Sequence, residues 1–342
     1  MRALVKTTRG VGHLALQERP EPEAVAGWVT IAVRYAGICG TDLHIVQDEF
    51  PYWPPVILGH EFTGTVVELG DGVDPAWLGA RVVSEPHSLA CGTCHLCRRG
   101  FAELCASKRS PGWGIDGAFA DRLTMPVHLL HRVPAGLPDR VAALAEPMAV
   151  SVTALARTGV EAGDVVLIVG PGPVGILLAA GALAMGAATV VVAGRRDSDR
   201  LRFAETVGAL TVLDGLAVEL IQDQTAGRGA DLVIDATGTP EAIDLALRAV
   251  RRRGRFAAVG MSGQPVVGVP WDLAVSRAVD ATFSMSSNGT AWAPAITILE
   301  RTPQLEGMST VFPLGDWEAA FEAVRERTVI KALLDPTTGA GR

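Results

Sequence analysis

Two patterns of apolar spacing divide this chain. Up to about residue 145, bulky residues alternate with small or polar ones in short runs: Trp28 to Val33, Phe62 to Leu69 and Arg81 to Ser84. Period-two alternation puts successive side chains on opposite faces of a strand. Turn residues such as Gly70-Asp71-Gly72 separate the runs. They predict an antiparallel sheet or barrel whose loops can carry ligands. From Glu146-Pro147 onwards the pattern changes. Val165 to Val169 is a continuous β-branched and apolar run, and Val174 to Met185 is an alanine-rich apolar helix. Thr189 to Ala193 predicts a second buried strand and Leu201 to Val207 a helix. Further strands are expected around 210–213, 232–235 and 256–259, with a helix over 242–250. Buried strands alternating with helices imply a parallel sheet covered on both faces. After about residue 280 the pattern loosens, and the tail is expected to return to the first domain.

Composition narrows the classes without choosing among them. The chain has 342 residues, 49% of them hydrophobic, and a formal charge of −7. That is ample for two cores. Mild acidity gives no reason to expect nucleic acid or an anionic membrane. The start of the chain mixes Arg2, Lys6 and Arg9 with apolar residues and does not read as a signal peptide. No apolar stretch reaches the roughly 20 residues that span a bilayer. A cytoplasmic location is expected.

The five cysteines change the picture more. Four form C-x2-C-x2-C-x7-C: Cys91, Cys94, Cys97 and Cys105. Four thiolates at this spacing suit a closed structural zinc. Gly92 lets the backbone turn and aim amide groups at sulfur; His95 is surplus to the set. Cys39 stands apart in Gly37–His44, and Gly59-His60-Glu61 follows. Cys39, His60 and Glu61 are candidate ligands of a second zinc that keeps one position for water or substrate oxygen. Glu146 is a further candidate, bound to the metal directly or through its water. Thr41 and His44 lie two and five residues beyond Cys39. A hydroxyl beside the metal can take an alcohol's proton and pass it to a solvated imidazole. Asp42 is expected to accept a hydrogen bond from the far nitrogen of His60.

Gly170-Pro171-Gly172-Pro173-Val174-Gly175 is a G-x-G-x-x-G run between a predicted strand and a predicted helix, the context a dinucleotide site requires. A pyrophosphate would sit at the helix N-terminus. The second strand should end in an acid if the cofactor is NAD. Gly194 holds that place, with Arg195 and Arg196 behind it. NADP is therefore favoured over NAD. In the other case the arginines are simply exposed and Asp197 or Asp199 serves the ribose.

Together, Gly37–His44, Gly59–Gly64 with Glu68, the four-cysteine lobe, Glu146-Pro147 and Gly170–Gly175 make the chain resemble a zinc-dependent medium-chain dehydrogenase/reductase. The branch it is most similar to holds sorbitol, other polyol and threonine dehydrogenases. The resemblance implies an α/β protein with a GroES-like β-rich catalytic domain over 1–147, carrying the zinc lobe at 91–105. It implies a Rossmann doubly wound parallel-sheet domain over 148–285, and a segment over 286–342 that returns to the first domain. It assigns catalytic zinc ligation to Cys39, His60 and Glu61, with Glu146 near or on the metal. It assigns proton relay to Thr41 and His44, and implies a homodimer or homotetramer. Two departures stand out: Gly194 replaces the usual acid, and Gly79-Ala80-Arg81-Val82 replaces Gly-Asp-Arg-Val. The expected reaction is reversible oxidation of a secondary alcohol of a polyol, sugar or cyclitol to a ketone, with hydride transfer to NADP or NAD. A threonine-type 3-hydroxy amino acid is the second substrate class, and a non-catalytic binding protein on the same fold is the rival. Trp53, Trp113 and 286–288 are substrate-pocket candidates by position.

Overall fold

A computed structural model describes residues 1–196 and 198–338. Contacts divide the chain into two units, Met1–Glu146 with Asn288–Arg342, and Pro147–Ser287. In chain order the first unit builds strands β1 (Arg2–Lys6), β2 (Leu14–Glu18) and β3 (Trp28–Gly37), then helix α1 (Gly40–Val46). Strands β4 (Val56–Ile57), β5 (Glu61–Leu69), β6 (Arg81–Ser84), β7 (Arg122–Pro126) and β8 (Leu130–Arg132) follow, and then the short helix α2 (Asp139–Ala142). Helix α3 (Ala145–Thr158) carries the chain into the second unit.

The second unit alternates strand and helix. Its strands are β9 (Val165–Val169), β10 (Thr189–Gly194), β11 (Leu210–Leu213), β12 (Ala230–Asp235), β13 (Val250–Ala258) and β14 (Asp280–Phe283). Its helices are α4 (Pro173–Ala184), α5 (Asp199–Thr206), α6 (Ala217–Gln224), α7 (Pro240–Ala249) and α8 (Trp271–Arg277). The strands form one parallel sheet in the order β11-β10-β9-β12-β13-β14. The central strands β9 and β12 are buried along their whole length. This explains why β9 reads as an unbroken apolar run and why Leu232 to Ile234 in β12 show no alternation. Strand β13 begins well before the expected 256, because Arg251, Arg252 and Arg253 mask its first half in the sequence.

The chain then adds α9 (Trp292–Arg301), β15 (Ser309–Pro313), α10 (Trp317–Arg325) and β16 (Lys331–Asp335) to the first unit. Strand β16 pairs antiparallel with β3, setting Leu333 opposite Gly37. It thereby completes the seven-stranded sheet β15-β16-β3-β5-β6-β8, in which β7 pairs with β3. A small sheet, β2-β1-β4, packs its apolar residues into the same core, with Leu4, Ile31, Leu58 and Phe119 fully enclosed. No helix among the described residues is long and apolar enough to cross a membrane.

Candidate active site

Three elements converge on one buried point of the first unit. Cys39 is the N-cap of α1, just after β3, while Glu61 opens β5, the antiparallel partner of β3, and His60 directly precedes it. Ligand atoms of Cys39, His60 and Glu61 lie within 4.8 Å of one another. The local fold follows from the residue types. Asp42, in the first turn of α1, accepts a hydrogen bond from the Cys39 N–H at 2.9 Å and fixes the cysteine at the helix start. Asp42 does not hydrogen-bond His60, contrary to expectation. Its Oδ1 stands 3.8 Å from His60 Nδ1, an ion-pair distance too long for a hydrogen bond. The helix-capping bond has taken the other carboxylate oxygen.

Lys331 was not singled out from the sequence. It projects from β16, is 2% exposed, and its ammonium forms an ion pair with Glu61 Oε2. It also donates to the Ile38 carbonyl at 2.9 Å. A Cβ on Gly37 would stand 2.6 Å from Glu61 Oε2 and 2.9 Å from Lys331 Cε, so only glycine leaves room for the pair. Burial works against the Lys331 charge, yet Glu61, Cys39 and Asp42 outweigh it and hold its pKa above the ordinary value. One signal was available: a lone lysine inside the apolar run Val329–Leu334.

The electrostatics around this point are lopsided. Asp42, Glu61 and Glu146 are all buried, and one buried ammonium faces them. Burial, reinforced by the Glu61 charge, pushes the Glu146 carboxyl up to about 7. Burial and Glu61 also push the Cys39 thiol up. Excess buried negative charge is costly unless a cation joins it. His60 Nδ1 and Asp42 Oδ1 are buried without hydrogen-bond partners. A dication of thiolate, imidazole and carboxylate preference fits this set, and a coordinating thiol is deprotonated outright. Glu146 lies outside the three-residue ligand cluster, near enough for its charge to act on Cys39.

Around the cluster, the Trp113 indole meets the His60 ring edge-on at 5.0 Å and Phe50 at 5.6 Å. The Trp53 backbone N–H donates to the Trp113 carbonyl at 2.8 Å, and the Arg109 guanidinium stacks on the Trp53 ring at 3.8 Å. Thr41 Oγ1 is 3.7 Å from Cys39 Sγ. His44 is half exposed and held by Glu49 through Nδ1 at 2.8 Å. No hydrogen bond among the described residues links Thr41 to His44. A bridging water or ligand hydroxyl must complete any relay. Ser287 is buried and is the last residue of the second unit along the chain; Asn288 follows it in sequence.

The second cysteine group, Cys91, Cys94, Cys97 and Cys105, also converges within 4.8 Å, and all four are free thiols. Cys91 and Cys97 sulfurs are 3.9 Å apart, close to the roughly 3.8 Å edge of a tetrahedron with 2.3 Å zinc–sulfur bonds. Backbone N–H groups of Cys91, Cys94 and Cys97 each point at a cysteine sulfur at 3.4 Å. Those of Thr93 and Cys94 pull the Cys91 thiol down to about 6. This donor set fits zinc. His95 is exposed and stands outside it.

In the second unit, Gly170 (φ 112°) turns the chain from β9 into α4 and donates to the Ala193 carbonyl at 2.9 Å. No atom lies within 4 Å of where a Cβ on Gly172 would stand, whereas one on Gly175 would strike the Gly170 carbonyl. The loop is thus tight below and open above, with Pro173 and Val174 starting the helix. Gly194 ends β10. Arg195 is exposed and pairs with Glu241 at 3.0 Å, and Arg196 is exposed beside it. Asp199 pairs with Arg202 in the first turn of α5, and Asp197 lies outside the described residues.

With this geometry in view, comparison with known proteins is decisive. Residues 25–135 match the alcohol dehydrogenase GroES-like domain, and residues 173–301 match the zinc-binding dehydrogenase domain. The sorbitol dehydrogenase of Halalkalibacterium halodurans is 36% identical, over 98% of this chain and 99% of its own. The chain belongs to the zinc-dependent medium-chain dehydrogenase/reductase family. The D-arabitol-phosphate dehydrogenase of Enterococcus avium is 32% identical over 98% of this chain and 97% of its own. A Sinorhizobium meliloti zinc-binding dehydrogenase, solved with NADP, superposes with a TM-score of 0.90 at 29% identity, covering 98% of this chain and 99% of its own. This member of the family is a dehydrogenase with both the GroES-like and the parallel-sheet units.

The enclosed ion pair yields a direct test. Lys331→Met leaves Glu61 buried without its partner and should lower unfolding stability by about 3 kcal/mol. Urea denaturation of the zinc-free protein measures this. A change below about 0.5 kcal/mol, the scale of an ordinary surface substitution, would show that the pair does not hold the site together.

Proposed function

We propose that this protein reversibly oxidises a secondary alcohol of a polyol to a ketone, passing hydride to a nicotinamide dinucleotide. The observation that carries this reading is the convergence of Cys39, His60 and Glu61 within 4.8 Å. In this reading those three residues hold the catalytic zinc, and the four-cysteine lobe holds a second, structural one. Bound zinc supplies Lewis-acid polarisation of an alcohol oxygen. Glu61 and its Lys331 partner set the charge around the ligands. Glu146 is pushed up by burial and by the Glu61 charge, and a dication bound beside it would favour its carboxylate form. Thr41 receives the alcohol proton beside Cys39, and His44 exchanges it with solvent. Relatives named sorbitol dehydrogenase and D-arabitol-phosphate dehydrogenase support the polyol class.

NADP is the proposed cofactor. A 2′-phosphate carries nearly two negative charges at neutral pH, and Gly194 sets no carboxylate against it. Arg195 and Arg196 can meet its oxygens with charge-assisted bonds. The NADP-bound neighbour supports the same reading. Assembly with further copies of the chain, as dimer or tetramer, is proposed on the open edge of the parallel sheet. Strand β14 ends that sheet, and Phe283, Met285, Trp271 and Val275 are exposed on or near it. The free thiols support a reducing, cytoplasmic setting.

Nicotinamide absorbance with a panel of polyols, polyol phosphates and threonine tests the reaction. Turnover is expected with at least one polyol and weaker with threonine; turnover with threonine alone would move the protein to the other substrate class. Replacing His44 with Ala should slow oxidation about tenfold or more near pH 7, and less at high pH, where hydroxide replaces the relay. An equal loss at every pH would contradict a shuttle.

The arginine variants test the cofactor. Arg195→Ala should weaken NADP about tenfold and leave NAD nearly unchanged. Gly194→Asp should shift preference towards NAD, with Gly194→Ala as its control, because a Cβ there stands 3.0 Å from Pro171 Cγ. Wild-type protein that uses NAD far better than NADP would refute the assignment.

A further inference from the structure

A cavity of about 610 Å³ opens at the amino-terminal ends of β12 and β13 in the second unit. The dinucleotide loop follows the carboxyl end of β9, so the two lie at opposite edges of one parallel sheet. Five arginines line the cavity, Arg228, Arg248, Arg251, Arg252 and Arg277, with the single carboxylate of Asp231. In a chain of net charge −7 this concentration of guanidinium groups runs against the average.

Their partners show how much charge is left over. Arg251 pairs with Asp231 at 2.7 Å, and Arg248 with Asp244 at 2.7 Å. Arg277 donates to the carbonyls of Leu247, Arg248 and Val250 at the end of α7. Arg252 donates to the Ser276 carbonyl at 3.0 Å, and Arg228 to the Thr225 carbonyl at 3.2 Å. Carbonyls orient a guanidinium without cancelling its charge. Among the described residues, Arg228, Arg252 and Arg277 form no ion pair with a carboxylate. Three fixed cations therefore face a recess whose volume lies within the roughly 300–1,000 Å³ of small-molecule sites. Guanidinium forks match the oxygens of phosphoryl groups in pairs.

We propose that this cavity binds a compact polyanion carrying two or more phosphoryl groups, independently of the dinucleotide. Two phosphoryl groups place at least two charges against the three uncancelled arginines. A single phosphate meets only part of the cluster, and a dicarboxylate offers fewer oxygens and less charge.

Isothermal titration of the zinc-loaded, full-length protein with 2,3-bisphosphoglycerate tests this, with saturating reduced dinucleotide present to occupy the other site. Inorganic phosphate and succinate are titrated in parallel. Saturable binding of one bisphosphoglycerate per chain is expected, tighter than either comparison ligand. The double variant Arg228→Ala/Arg252→Ala should bind it about tenfold or more weakly, as loss of charge-assisted contacts demands. Both side chains are exposed, so melting temperature and dehydrogenase turnover should be unchanged in that variant. No saturable binding, equal affinity in the double variant, or succinate binding as well as the bisphosphate would each overturn the proposal.

Discussion

The buried ion pair between Lys331 and Glu61 organises the first unit. It joins β16 to β5, the strand that Glu61 opens directly after His60, across β3. Two charges removed from water must be matched to each other and to further donors or acceptors. Lys331 meets Glu61 and the Ile38 carbonyl, and Gly37 supplies the space. The tail after residue 288 is therefore part of the active-site architecture. Without β16, the Glu61 carboxylate would lose its buried ammonium partner.

The pair does not balance the whole site. Asp42 and Glu146 add further buried carboxyl groups, and the Cys39 thiol is pushed up by burial and by Glu61. A bound cation would settle that imbalance and hold Cys39 as a thiolate ligand. The four-cysteine lobe solves the same problem differently. Its sulfurs are met by backbone N–H groups and lie partly at the surface, so it needs no charged side chain beside it. One site carries buried carboxylates that a single ammonium only partly offsets. The other is closed on itself.

Much of this could be read along the chain, for physical reasons. Strands over 81–84, 165–169 and 210–213 show in the sequence because alternation and β-branched runs are local properties. The metal candidates show because Cys-x-x-Cys and Gly-His-Glu spacings are local too. The start of β13 did not show, because three arginines conceal a strand whose end reaches the surface. Lys331 did not show as a site residue, because its partner lies most of the chain away. The contact between Asp42 and His60 was misread for a related reason. Helix capping at Cys39, a three-residue interaction, holds the carboxylate through Oδ2 and leaves Oδ1 3.8 Å from His60, short of the longer-range bond. Gly194 was legible as a missing acid, whereas the pairing of Arg195 with Glu241 appears only once α7 is packed beside it.

We place one zinc at Cys39, His60 and Glu61, apart from the four-cysteine lobe. Anomalous diffraction at the zinc edge from crystals of the zinc-loaded protein tests it most directly. Two peaks per chain are expected, one amid the sulfurs of Cys91, Cys94, Cys97 and Cys105, the other bonded to Cys39 and His60. A single peak in the cysteine lobe, or a second peak away from Cys39 and His60 in a fully active preparation, would contradict it.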